Sequence, residues 1–362
     1  MSMARKGRGA TGNALSLRFD DPARQADGDW QDWADAHDDL PPLRTTVSLE
    51  TPRAALTRND SPDIPFDRSF NAYRGCEHGC IYCFARPTHA YHNLSPGLDF
   101  ETRLFAKPGG PRLLREAFAR RSYQPDVLAM GTNTDPYQPI EARFRITRAV
   151  LALCLETRHP VSITTKSARV LCDLDLLTGL ARQGLVAVML SITTLDPALA
   201  RAMEPRASAP HRRLKALAAL SGAGVPALVS ASPMIPGLND HELEAIFEAA
   251  AAAGATGGFC IPVRLPHEVA PLFEQWLDAH RPDRKAKVLN AIRAMRGGAL
   301  NDPRFGARMR PQGAWGALLA SRTEKARRRH GLDGGRPALR TDLFVRPAPE
   351  SRQPDLFGQS MV

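Results

Sequence analysis

Residues 69–92 read SFNAYRGCEHGCIYCFARPTHAYH and hold three of the six cysteines of the 362-residue chain, Cys76, Cys80 and Cys83, spaced C-x3-C-x2-C. A loop this tight can bring three thiolates onto one metal centre, and soft thiolates select iron–sulfur clusters, zinc or copper(I) over hard cations. Four cysteines would close a structural site, whereas three leave a coordination position for a substrate or cofactor. Three cysteines this close cannot all pair as disulfides. The spacing points to chemistry.

Outward from this loop the pattern is strand, loop, helix, repeated. Short β-rich runs such as VSITT, VAVML and ALVS predict strands near 69–75, 126–131, 160–165, 185–192, 226–231 and 258–263. Periodic stretches such as RAVLALCLE and LKALAAL predict helices at about 112–121, 141–158, 173–183, 210–222, 239–253 and 268–279. Alternation of this kind implies a parallel sheet with right-handed crossovers. Six units cannot complete an eight-stranded barrel, so an open, curved α/β partial barrel is expected, although the pattern alone also allows a doubly wound sheet. Residues 97–107 read as an inserted extended piece.

At these residues the sequence resembles a family. CEHGCIYC has the spacing of radical S-adenosylmethionine (SAM) enzymes, with Tyr82 just before the third cysteine, and residues 61–92 are similar to the DNA repair photolyase-like group related to spore photoproduct lyase. The resemblance covers residues 60–300 and implies a partial (β/α)6 barrel of the radical SAM type. It implies that Cys76, Cys80 and Cys83 hold three irons of a [4Fe–4S] cluster while SAM chelates the fourth. Reductive cleavage of SAM would then give a 5′-deoxyadenosyl radical that takes hydrogen from a substrate. A zinc site completed by His78, His89 or His92 is the alternative at these residues.

In barrels of βα units, functional groups gather where strands hand over to loops. Here those positions hold Thr134 and Asp135, Lys166, Ser191 and Thr193, the stretch from Met234 to Asp240, and Arg264. Lys166 and Ser191 can meet the carboxylate of SAM, and Thr134 with Asp135 its ammonium; the resemblance implies the same four contacts and adds Tyr82. PMIPGLND resembles the adenine-contacting stretch of the superfamily, with Ile235, Gly237 and Asp240 in place, but Pro233 replaces its first glycine and Asp240 its glutamate. Asn133 stands where spore photoproduct lyase has a cysteine hydrogen-atom donor, and Phe84 where it has tyrosine, so the thymine-dimer reaction does not carry over. Cys260, expected to face the barrel interior as a radical relay, and Arg264 are the candidate catalytic residues. Cys154 and Cys172 read as packing residues.

Charge is uneven: residues 281–362 carry 18 Lys and Arg against 7 Asp and Glu, which accounts for the whole net charge of +10. A localised Arg-rich excess is the footprint of a polyanion binder, here nucleic acid, or of a solvated basic tail. No apolar run is long enough to span a bilayer and no secretory leader is apparent, so a cytoplasmic, reducing location is expected. Residues 1–60 read as a disordered or extended lead-in whose stretch 20–39 holds eight Asp. Residues 61–300 form the core, 301–332 a basic helical extension, and 333–362 a disordered tail. Within that tail Gln353-Pro354-Asp355-Leu356-Phe357 resembles the peptide by which bacterial repair proteins bind the sliding clamp. The leading expectation is a radical SAM enzyme acting on nucleic acid or a nucleotide lesion, with an unidentified electron donor. A protein or small-metabolite substrate is the second, and a zinc-bearing DNA-binding adaptor the third.

Overall fold

The structure, a computed structural model, describes residues 5–13, 16, 18, 19 and 43–348. Among them are ten strands: β1 (Thr46–Leu49), β2 (Thr57–Arg58), β3 (Arg68–Phe70), β4 (Tyr73–Arg74), β5 (Arg103–Ala106), β6 (Leu128–Met130), β7 (Val161–Thr165), β8 (Val186–Ser191), β9 (Ala227–Met234) and β10 (Gly257–Pro262). β3 and β6 to β10 pair in parallel in sequential order, and β2 adds an antiparallel edge beside β3. This is the open six-stranded partial barrel; a doubly wound sheet would have reversed its strand order midway. β1, β5 and β4 form a separate three-stranded sheet, so residues 97–107 are a short helix, Asp99–Thr102, followed by β5.

Side chains alternate across each strand. Val161 and Ile163, Val188 and Leu190, and Val229 and Ala231 are buried in the main apolar core. Their neighbours Thr164, Met189, Ser191, Ser230 and Ser232 line the barrel cavity. The expected helix at 141–158 breaks at Arg145, whose φ is 50°, into Glu141–Phe144 and Ile146–Thr157. The Glu141 carboxylate accepts from Thr147 N at 2.8 Å and so starts the second piece. One helix, Pro197–Met203, was not expected. Its start is nonetheless written in Asp196, which accepts from Ala198 N at 2.7 Å, and in Pro197 at the first helical position.

Both chain ends differ from expectation where they are described. Residues 5–13 thread against the cysteine loop: Gly9 N and Ala10 N donate to Glu101 at 3.0 and 2.9 Å, and Ala10 is buried with Cys80 and Ile81. Residues 333–348 are not a loose tail. Leu332 O accepts from Gly258 N at 3.0 Å on edge strand β10, Arg340 N donates to Gly184 O, and Val345 N to Thr157 O. Composition suggested disorder because few apolar residues are present, but backbone pairing and single apolar anchors suffice. The acidic stretch 20–39 and the segment Gln353 to Phe357 lie outside the described residues.

One anchor makes a test. Phe344 meets the His159 ring edge-on at 5.6 Å, and His159 stacks on Phe118 at 4.3 Å. His159 Nδ1 donates to Pro160 O and Nε2 accepts from the Tyr123 hydroxyl at 2.7 Å, which fits the neutral ring. Burial, then Arg68, holds its pKa down to about 4, from 6.5, against the bond to Pro160. A histidine kept neutral stabilises the fold fully above 6.5, and that contribution is lost as pH falls toward 4. Urea unfolding should show this loss in the native chain and not in His159→Gln. Phe344→Ala should cost about 2–3 kcal/mol, below the full value for a completely buried ring.

Candidate active site

The cysteine loop leaves β4 through Gly75 and turns again at Gly79, with φ of 72° and 67°. A Cβ on Gly79 would come 2.8 Å from Glu101 Oε2, so the turn needs glycine for both conformation and space. The loop carbonyls are gathered by Arg86. Its Nε donates to Cys80 O, Nη1 to Pro96 O and Gly97 O, and Nη2 to Gly79 O and Glu101 Oε1. All five guanidinium donors are used. Cys76 N donates to Phe100 O and Ile81 N to Met203 O, which ties the loop to the helices on either side.

Cys76, Cys80 and Cys83 line one cavity of about 880 Å³ inside the barrel mouth. Burial raises the pKa of all three thiols. Cys76 also feels Cys80 and Cys83, and Cys80 feels Cys83, which raises both thiols further. Among the described residues, however, no three His, Cys, Asp or Glu side chains gather closely enough to hold a single metal ion. His89 turns away from the cavity, its Nε2 bonding Arg103 O.

The strand ends converge as expected, but with different duties. Thr134, Asp135, Lys166 and Ser191 all line the cavity. Asp135 Oδ1 accepts from Thr165 Oγ1 and Tyr137 N, and Oδ2 from Lys166 N and faces His78 Nδ1 at 3.3 Å. Those four contacts occupy its lone pairs, so Asp135 locks β6 to β7 instead of offering an acceptor to a ligand. Burial opposes its ionisation, yet His78 and these donors hold its pKa down to about 2. The Lys166 ammonium, in contrast, has no hydrogen-bond or ion-pair partner among the described residues, and it stands 5.8 Å from the Tyr82 ring centroid.

The Tyr82 hydroxyl is also committed. It donates to Glu204 and lies 3.2 Å from Thr193 Oγ1. Glu204 is buried beside Arg213, which also donates to Ser191 O at 2.8 Å and Ser208 O at 2.6 Å. Burial pushes the Glu204 carboxyl up, but Arg213, Lys166 and the hydroxyls bring it down to about 2. Sequence reasoning missed Glu204 and Arg213, because a charge after an Ala-rich helix ordinarily reads as solvated.

Two expectations are not met, that for the adenine-contacting stretch and that for Cys260. Ile235 is fully buried in apolar contacts and, like Gly237 and Asp240, lies outside the cavity lining. Asp240 bonds Gly237 N and Trp315 Nε1, both at 2.9 Å, because the C-terminal helix Gly313–Arg329 packs there. Cys260 does not face the interior: its thiol meets Thr323 on that helix. Arg264 does line the cavity. Seven Lys and Arg side chains and two Asp line it in all, so its charge is strongly positive.

The family model described as the radical SAM superfamily matches residues 70–250. An uncharacterized protein of Mycobacterium tuberculosis is 36% identical over 222 residues, covering 61% of this chain and 65% of the relative. The match thus spans slightly less than two thirds of that relative's length. An uncharacterized protein of Methanocaldococcus jannaschii is 30% identical over 172 residues, 48% of this chain and 62% of its own. Among solved structures, a spore photoproduct lyase mutant superposes with a TM-score of 0.58 at 14% identity, covering 84% of this chain and 91% of that one. Spore photoproduct lyase complexed with dinucleoside spore photoproduct gives 0.50 at 16%, over 65% and 67%. At such identities the likeness is one of fold.

Glu204→Ala should leave Arg213 buried and uncompensated and lower stability by about 3–5 kcal/mol in denaturant unfolding. Tyr82→Phe, which removes one hydroxyl from the same network, should cost only about 1 kcal/mol.

Proposed function

Because the chain belongs to the radical SAM superfamily, we propose that it holds a [4Fe–4S] cluster on Cys76, Cys80 and Cys83, binds SAM at the iron they leave open, and acts on nucleic acid or a nucleotide lesion. The carrying observation is the three-cysteine loop opening onto a cavity in which cations outnumber acids and both acids are already bonded. Such a cluster, once reduced by an electron donor, would supply the one electron that cleaves SAM to methionine and a carbon radical able to take hydrogen from the substrate.

The chain's own residues prepare the site. Lys166 is an uncommitted charge on the cavity wall and meets the carboxylate of SAM, with the Ser191 hydroxyl lining the same cavity. Asp135 fixes the backbone from which Lys166 projects. Thr134, whose hydroxyl donates to Tyr73 O at 3.2 Å, keeps lone pairs for the SAM ammonium. The Tyr82 ring, held by Glu204, walls the space between Lys166 and Cys80 and excludes water.

The substrate class rests on charge: a cavity this cationic favours a polyanion over a neutral metabolite or a peptide. The spore photoproduct lyase complexed with its dinucleoside substrate, a relative in fold, agrees with that class. Among the described residues no helix is long and apolar enough to cross a membrane. The helix Gly313–Arg329 adds exposed Lys325 and Arg329 as an outer basic face. The segment Gln353 to Phe357 would add a tether to the sliding clamp, testable by competition with a clamp-binding peptide.

Anaerobically reconstituted protein should hold about four irons per chain, and Cys80→Ala should lose them. With dithionite and SAM it should form 5′-deoxyadenosine, faster when oligonucleotide is added. Stoichiometric zinc without iron would overturn the cluster, and stimulation only by peptides or metabolites would overturn the substrate class. Lys166→Ala should retain iron yet weaken SAM binding by about 1.5–3 kcal/mol, the range for a bond to a charged group, as read by equilibrium dialysis.

A further inference from the structure

Phe84, the residue after the third cysteine, is 46% exposed, an unusual state for a large apolar ring inside a cavity lining. The Arg264 guanidinium lies over it, 4.6 Å from the centroid. Arg264 is half-buried, yet among the described residues its five guanidinium donors have no hydrogen-bond or ion-pair partner. The charges around it are mainly of its own sign, Arg308 and Arg296. The acid within range, Asp63, is engaged by Arg308 Nε at 2.5 Å and by Gly306 N at 2.7 Å. A guanidinium held on a ring, short of partners and beside like charges, is a site waiting for an anion.

A second such group lines the same cavity. Arg336 stacks 5.0 Å from the Phe259 centroid, and its guanidinium likewise has no hydrogen-bond or ion-pair partner among the described residues. It stands over a different ring from Arg264, one it shares with Arg327 at 5.9 Å. A ligand with repeated phosphates along a flexible backbone can meet two cations placed over different rings, and exposed Phe84 offers its bases a stacking surface. Both arginines come from residues beyond the 70–250 stretch matched by the family model.

We propose that Arg264 on Phe84, with Arg336 as a second point, binds backbone phosphates of a single nucleic-acid strand and places one nucleotide beside Cys83. This rests on the nucleic-acid reading given above and names the residues that carry it. Recognition of the strand is thus built by the C-terminal third of the chain, while the cofactor residues lie in the family-matched part.

The test is fluorescence anisotropy of a labelled single-stranded oligonucleotide of about ten nucleotides, a length within the site sizes of single-strand binders. It uses full-length, cluster-loaded protein across a salt series. Arg264→Ala and Arg336→Ala should each weaken binding about tenfold or more and lower the slope of log affinity against log salt by about 0.7, the value for one single-strand phosphate. Arg264→Lys should keep the slope while losing part of the affinity, and it serves if the alanine variant fails to load iron. Arg304→Ala removes an equal charge, paired with Asp302 outside the cavity, and should change neither. Equal affinity and slope in native protein and both cavity variants would overturn the phosphate site. If 5′-deoxyadenosine formation still responded to oligonucleotide, the substrate class would stand without it. Native protein that binds no oligonucleotide at low salt would overturn both.

Discussion

The ion pair between Arg86 and Glu101, 2.6 Å long with both side chains wholly buried, is the constraint on which the cysteine loop depends. Two buried charges are costly to desolvate, and a pair alone seldom repays that cost. Here the remaining hydrogen-bonding capacity is used to hold backbone. Arg86 gathers four carbonyls from both sides of the loop, and Glu101 accepts Gly9 N and Ala10 N. Arg8 then donates to Glu101 O at 2.9 Å and reaches Leu43 O and Thr45. An irregular loop has no ladder to satisfy its carbonyls, and three cysteines must nonetheless face one point. A charged hub does what a sheet would do elsewhere.

The same logic recurs at the strand ends. Glu204 with Arg213 joins the carbonyl of Ser191 on β8 to the hydroxyl of Tyr82 in the loop, and Asp135 joins β6 to the start of the loop after β7. The carboxylates of Asp135 and Glu204 are thus saturated by donors of the fold. What remains free is cationic, so rigidity and a positive field come from one arrangement.

The barrel was legible because its information is local. Val161, Ile163 and Thr165 alternate within five residues, and the helix at 210–222 repeats its apolar face with the expected period. The cysteines and Lys166 were legible for the same reason, as residues at fixed offsets from a strand or from one another. Arg86, Glu101 and Glu204 were not. A charged residue carries no mark of burial in its own neighbourhood, and Glu101 meets Arg8 across 93 positions. The ends misled in the same way: Gly9 looks like a flexible-tail residue, whereas a Cβ there would lie 1.8 Å from Gly79 O. Asp240 kept the position its motif implies in the chain, but a C-terminal helix that the motif does not encode supplies its partner.

An open barrel also has a structural debt that its core cannot settle. β10 presents an unpaired edge, and edges recruit whatever strand is near. The chain closes it with its own later residues: Leu332 O pairs with Gly258 N, and the helix Gly313–Arg329 lies over Cys260 through Thr323. The segment that covers the edge also brings Arg336 to Phe259. The loop after the preceding helix, Lys285–Met295, brings Arg308 to Asp63 on the opposite lead-in. Covering the edge and shaping the mouth are therefore one event, made by residues beyond the family-matched stretch. That later part of the chain also packs on the cysteine loop, since Val263, Leu265 and Trp276 share one buried apolar cluster with Cys80, Ile81 and Tyr82.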